Sequence, residues 1–94
     1  MLFLNIYHQN EMENKFKTSY EQVKKFSRRP PDKDLLELHS LYKQATIGNV
    51  NIPMPSTPDG KRLWEAWSTK KGVTQSEAKE KYIAKVKILA VTYA

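Results

Sequence analysis

Ninety-four residues suit one domain with a modest core, a size that argues against a large multi-site catalytic apparatus. The chain has no cysteine, which excludes a disulfide framework and a cysteine-based zinc site. A formal net charge of +6 favours an anionic partner, whether a phosphorylated metabolite, a nucleic acid or an acidic membrane surface.

Met1 to Tyr7 is apolar, but it is too short and interrupted for a membrane span or a signal-peptide core, and it has no basic leader. Residues 1–9 therefore read as an N-terminal extension and 10–94 as the domain, and a soluble cytoplasmic protein is the default expectation. Met12, Phe16, Tyr20, Val23 and Phe26 recur at steps of four and three, which draws one apolar stripe and predicts a helix over 11–26. Asn10 with Glu13 offers a capping box for its start. Pro30 and Pro31 end it, since neither donates a backbone hydrogen bond and the residue before a proline avoids helical geometry.

A second helix is expected over 32–47. Asp32 and Asp34 suit the positive end of its dipole, Leu35, Leu38, Tyr42 and Ala45 share a face, and Gly48 is a left-handed stop. Pro53, Pro55 and Pro58 then mark a long connection with no regular period. A short third helix is expected over 60–70, where Leu63, Trp64 and Trp67 form an aromatic face that reads first as core packing. Thr74 and Glu77 form a capping box for a fourth helix reaching about Thr92, with Ala78, Tyr82, Val86, Leu89 and Tyr93 on one face. Four helices with one long connection predict an all-α bundle.

Catalysis has little to stand on: His8 and His39 are far apart in sequence, and no Ser-His-acid grouping or metal-ligand spacing is present. Nucleic-acid binding lacks a recognition helix or aromatic strand motif. A basic helical interaction module binding an anionic membrane surface or nucleic acid is the alternative function. The segment Leu41-Tyr42-Lys43-Gln44-Ala45-Thr46 points elsewhere, because an aromatic face beside a fixed cation suits a phosphorylated nucleotide.

That segment is followed in order by Lys61-Arg62-Leu63-Trp64-Glu65-Ala66-Trp67, Lys71-Gly72, Ala78, Tyr82-Ile83 and Lys85-Val86. The series resembles the acyl-coenzyme A binding protein family from about Phe16 to Val86. The resemblance implies an up-down-down-up four-helix bundle and a non-enzymatic, monomeric carrier and pool former for long-chain acyl-CoA, with no cofactor. It implies that Tyr42 stacks on adenine and Lys43 meets the 3′-phosphate, with Tyr82 a ligand-contacting tyrosine of the last helix, Lys24 near the headgroup, and Val23, Leu36 and Met54 against the acyl chain. Contacts with membranes and acyl-CoA-using enzymes would follow from that role; nucleic acid would not be a partner.

Two positions depart from the family pattern. His39 stands where members commonly carry a tyrosine, and Leu63 where they commonly carry a phosphate-binding lysine. Arg62 is the neighbouring candidate to restore the cation, although an adjacent helical residue points about a quarter-turn away. His39 lies one turn from Lys43, so a bound phosphate should favour its protonated form and make affinity rise from about pH 8 to about pH 6.

Overall fold

The paired prolines 30 and 31 and the proline-rich stretch around 53–58 divide the chain into helices of unequal length. The computed structural model describes the backbone of residues 2–94 and the side chains of residues 10–94. Helix α1 spans Leu2–Lys24, α2 Asp32–Thr46, α3 Pro58–Ser68 and α4 Gln75–Tyr93, with no strand among the described residues. The all-α expectation holds.

Helix α1 departs from its predicted bounds at both ends. It begins at Leu2, so Asn10 lies inside it and the expected capping box is not used. The physical reason is that residues 2–9 contain no proline or glycine to stop the helix, and a cap works only where the preceding chain leaves it. Its C-terminal end tightens, with Lys25 N–H bonded to Gln22 O and Phe26 N–H to Val23 O. The predicted role of residues 1–9 as an appendage rests on side chains outside the described residues.

Helices α2 and α4 match closely. Gly48 takes φ 101°, the left-handed conformation expected of the stop. Thr74 caps α4 by accepting from Glu77 N at 3.0 Å, while the Glu77 carboxylate accepts from the Thr74 hydroxyl at 3.2 Å instead of reaching a backbone N–H. Helix α3 starts two residues before its predicted position, because Thr57 caps it and Pro58 occupies the first turn, where its missing N–H costs nothing. The Thr57 hydroxyl accepts from Gly60 N at 3.1 Å, and a Cβ at position 60 would lie 2.6 Å from that oxygen, so the cap requires glycine.

Helix α4 packs against α1 on one side and α2 on the other, and α3 packs on the far side of α2. The result is a slab of 46 × 33 × 15 Å with two broad faces. Phe16, Leu38, Leu41, Ala45, Ala78, Tyr82, Val86 and Leu89 form the core between α1, α2 and α4. Burying a side chain such as Leu41 or Val86 stabilises by about 1.5–3 kcal/mol.

Two ion pairs between helices, and one from the α3–α4 connection to α2, surround this core. Lys85 meets Asp34 at 2.8 Å, Lys79 meets Glu13 at 2.6 Å, and Lys70 meets Glu37 at 2.7 Å. The last carbonyls of α4 are satisfied from the α1–α2 connection, by Ser27 N–H to Tyr93 O and the Arg28 guanidinium to Thr92 O. A cation at that negative helix end is electrostatically favourable.

The long α2–α3 connection is tied down by the two tryptophans. Trp67 Nε1–H donates to Gly48 O at 2.9 Å, and Trp64 Nε1–H to Ile52 O at 2.8 Å. Gln44, almost fully buried, donates to both Asn49 Oδ1 and Val73 O, and Asn49 in turn accepts from Gly72 N. The tryptophans are thus structural anchors, as the packing reading expected.

Candidate functional site

Tyr42 projects from α2 toward α1, where Phe16 and Tyr20 stand one turn apart. The Tyr42 ring lies parallel to Tyr20 at 4.8 Å between centroids and to Phe16 at 5.8 Å, and tilted to Tyr82 at 6.2 Å. Phe16 meets Tyr82 edge-on at 5.1 Å. Tyr42 is half-buried against the core, so it is both a packing residue and a partly open aromatic surface. Tyr82 is only 3% exposed. Burial, reinforced by the nearby Tyr20 and Tyr42 phenols, pushes its hydroxyl well above the ordinary tyrosine value, so it stays a neutral hydrogen-bonding group.

Lys24 closes this cluster, its ammonium 4.5 Å from the Tyr20 ring centroid and 3.3 Å from Glu21. Tyr20 is the residue sequence reasoning left in the core stripe without a site role. Its spacing of four from both Phe16 and Lys24 was the available signal.

Lys43 turns toward α3 and lies 5.9 Å from the Trp67 ring centroid. No carboxylate stands within ion-pair distance of it among the described residues, which leaves its charge available to an incoming anion. Beyond it, α2 and α3 bound a cleft of about 410 Å³. Leu35, Leu36 and Leu63 supply its apolar walls, and His39 and Arg62 stand among them. Arg29, Asp32 and Asp59 complete the rim, with Arg29 Nη1 bonded to Asp32 Oδ1 at 2.7 Å and Arg62 3.9 Å from Asp59. The Arg29 hydrogen bond and charge hold Asp32 below its usual value.

His39 is half-buried in this cleft. Burial, and secondarily the Lys43 charge, lowers its pKa below the ordinary imidazole value, so it is neutral at physiological pH before any anion arrives. The pH window expected from sequence therefore moves downward.

The sequence candidates thus fall into two groups. Tyr42, Tyr82 and Lys24 meet in the aromatic cluster; Leu36, His39 and Arg62 meet in the cleft; Lys43 follows both on α2. Val23 packs against the core beside Tyr20, and Met54 is 47% exposed on the α2–α3 connection; neither lines the cleft. Arg62 reaches the cleft together with Leu63 despite the angular offset between them, because its long side chain spans it.

An aromatic shelf, a cation without a carboxylate partner and a cleft of mixed leucine and charged lining thus lie on one α-helical slab. Comparison gives the class. Residues 13–86 match the model of the acyl-CoA-binding protein family. A relative from the genus Hypsibius is 51% identical over 80 residues, covering 83% of this chain and 90% of the relative. The acyl-CoA-binding protein homolog of Drosophila melanogaster is 38% identical over 81 residues, covering 84% and 94%. Among solved structures, the crystal structure of Oryza sativa acyl-CoA-binding protein 2 superposes with a TM-score of 0.78 at 34% identity, covering 83% of this chain and 89% of that one. The protein of Moniliophthora perniciosa superposes with a TM-score of 0.75 at 31% identity, covering 85% and 84%. The chain belongs to the acyl-CoA-binding protein family and has its all-α fold.

Proposed function

We propose that this protein is a cytoplasmic, monomeric carrier and pool former for long-chain acyl-CoA esters, with residues 10–94 as the binding domain and residues 1–9 as an extension. Proteins of the family bind and carry; they are not enzymes. Acyl-CoA is the ligand and no cofactor takes part. The observation that supports the reading is that α2 carries Tyr42 of the aromatic cluster, Lys43 beside it, and His39, which feels the Lys43 charge and lines the α2–α3 cleft with Leu35 and Leu36.

Tyr42 offers its ring to adenine, and because Tyr20 already lies parallel to it, the base extends or displaces that stack. Lys43 meets the 3′-phosphate with a charge-assisted hydrogen bond, assisted by Arg62 where the family's lysine is replaced by Leu63. Lys24 and Tyr82 border the headgroup. Leu36, with Leu35 and Leu63, receives the start of the acyl chain, and Val23 and Met54 meet its distal part. Each buried methylene contributes about 0.8 kcal/mol before ordering costs. The carrier delivers ligand to acyl-CoA-using enzymes and touches membranes transiently; nucleic acid is not a partner.

Calorimetric titration with palmitoyl-CoA, free CoA, palmitate and duplex DNA tests this. Tight one-to-one binding of palmitoyl-CoA alone is the expected result. Palmitate binding as tightly as its CoA ester would overturn it.

A further inference from the structure

Helix α4 is apolar on two opposite sides. Its inward stripe, Ala78, Tyr82, Val86 and Leu89, is buried in the core. Its outward stripe, Ala84, Ile88 and Val91 at steps of four and three, lies open, with Ile88 67% and Val91 88% exposed. An ordinary surface helix keeps that side polar. Ala84 and Ile88 also line a cleft between α4 and α2, and Ala84 with Ile83 and Met12 a second cleft between α4 and α1, so the apolar strip broadens on both sides.

The charges around the strip have one sign in excess. Asp34 and Glu37 on its α2 side are already bound by Lys85 and Lys70. Lys33, Lys81 and Lys87 have no carboxylate within ion-pair distance among the described residues, against two glutamates of α4 likewise without a cation, Glu77 and Glu80. Nothing in the strip offers a fixed polar anchor for a shaped protein partner. Short apolar tips ringed by long cations match an interface with a hydrocarbon boundary under anionic headgroups.

From this we infer that the outward face of α4, centred on Ala84, Ile88 and Val91 and flanked by Lys33, Lys81 and Lys87, docks the protein on anionic lipid bilayers. This deepens the membrane contact of the proposed function by giving it a location. The same geometry keeps the candidate site open while docked. Asp34, Glu37 and Leu41 of α2 border the α4 side, whereas Leu36, His39 and Lys43 each follow two residues later, about 200° round the helix. Docking and ligand binding therefore use opposite broad faces.

Co-sedimentation with vesicles, performed without ligand, separates this inference from the acyl-CoA reading. The intact protein should sediment with phosphatidylcholine vesicles containing about one-third phosphatidylserine, release as salt rises, and ignore pure phosphatidylcholine. Ile88→Asp with Val91→Asp should reduce partitioning by more than about tenfold. Lys81→Ala and Lys87→Ala should each reduce it about fivefold. All these positions are exposed, so helical circular dichroism and palmitoyl-CoA affinity should stay at wild-type values. No sedimentation of the intact protein, equal binding to pure phosphatidylcholine, or undiminished binding of both the aspartate and the alanine variants would overturn the inference, the last by placing docking elsewhere.

Discussion

Replacing Tyr42 with alanine should act twice, on the ligand and on the fold. Loss of a base-stacking ring weakens nucleotide binding by about 1–3 kcal/mol, or about 5- to 150-fold in affinity. The same ring stacks on Tyr20 and Phe16, and each aromatic pair is worth about 0.5–1.5 kcal/mol beyond its buried area. A fully buried aromatic truncated to alanine costs about 3–5 kcal/mol; Tyr42 is half-buried, so about 2–3 kcal/mol of stability should be lost. In a domain of this size that lowers Tm by about 10–20 °C. The variant remains folded at low temperature, where calorimetry with palmitoyl-CoA measures affinity separately from a thermal melt followed by circular dichroism. Tyr42→Phe keeps the stack and should retain both stability and most of the affinity. If the folded alanine variant bound palmitoyl-CoA as tightly as the wild type, the ring would be a packing residue only.

Lys43→Ala should weaken intact palmitoyl-CoA by about 1.5–3 kcal/mol while barely affecting the analogue without the 3′-phosphate; equal losses in paired titrations would show general charge attraction instead. Leu63→Lys should tighten the intact ligand selectively by a similar localised contact, read by the same pair of titrations. For His39, the folded pKa lies below its unfolded value, so the unfolded chain binds more protons as pH falls through about 6.5. Stability contributed by the neutral buried ring is present above that pH and declines below it, and urea titrations across pH 8 to 5 should show a decline that His39→Tyr lessens. A bound phosphate favours protonation, so ligand affinity should rise mainly below about pH 6.5; a flat affinity there would remove His39 from the site.

The elements legible in sequence were those whose start, period and stop agree. In α2, the acidic first turn, the Leu38–Tyr42–Ala45 face and Gly48 all indicate one helix, and in α4 Thr74 and Glu77 mark the start. At α1, Asn10 carried a capping pattern that an uninterrupted helix overrode, because a local motif does not report whether the chain before it is already helical. At α3, three prolines read as a loop, though Thr57-Pro58 is also how a helix begins. The aromatic cluster was only half visible. Tyr42 and Tyr82 stood out through their motifs, whereas Tyr20 joins them through a cross-helix stack that one helix's periodicity cannot show. The same applies to α4, whose inward stripe masked the second stripe through Ala84, Ile88 and Val91. The cleft required the fold, since α2 and α3 are separated in sequence by the connection that the two tryptophans anchor.

The central claim is that nucleotide and acyl chain occupy adjoining parts of one face, and NMR shift mapping of the labelled protein tests it most directly. Free CoA should perturb Tyr20, Tyr42 and Lys43, and palmitoyl-CoA should perturb these and additionally Leu35, Leu36 and Leu63, leaving Ile88 and Val91 unmoved. Perturbations centred on Ile88 and Val91, or absent from Tyr42 and the leucine-walled cleft, would contradict the account.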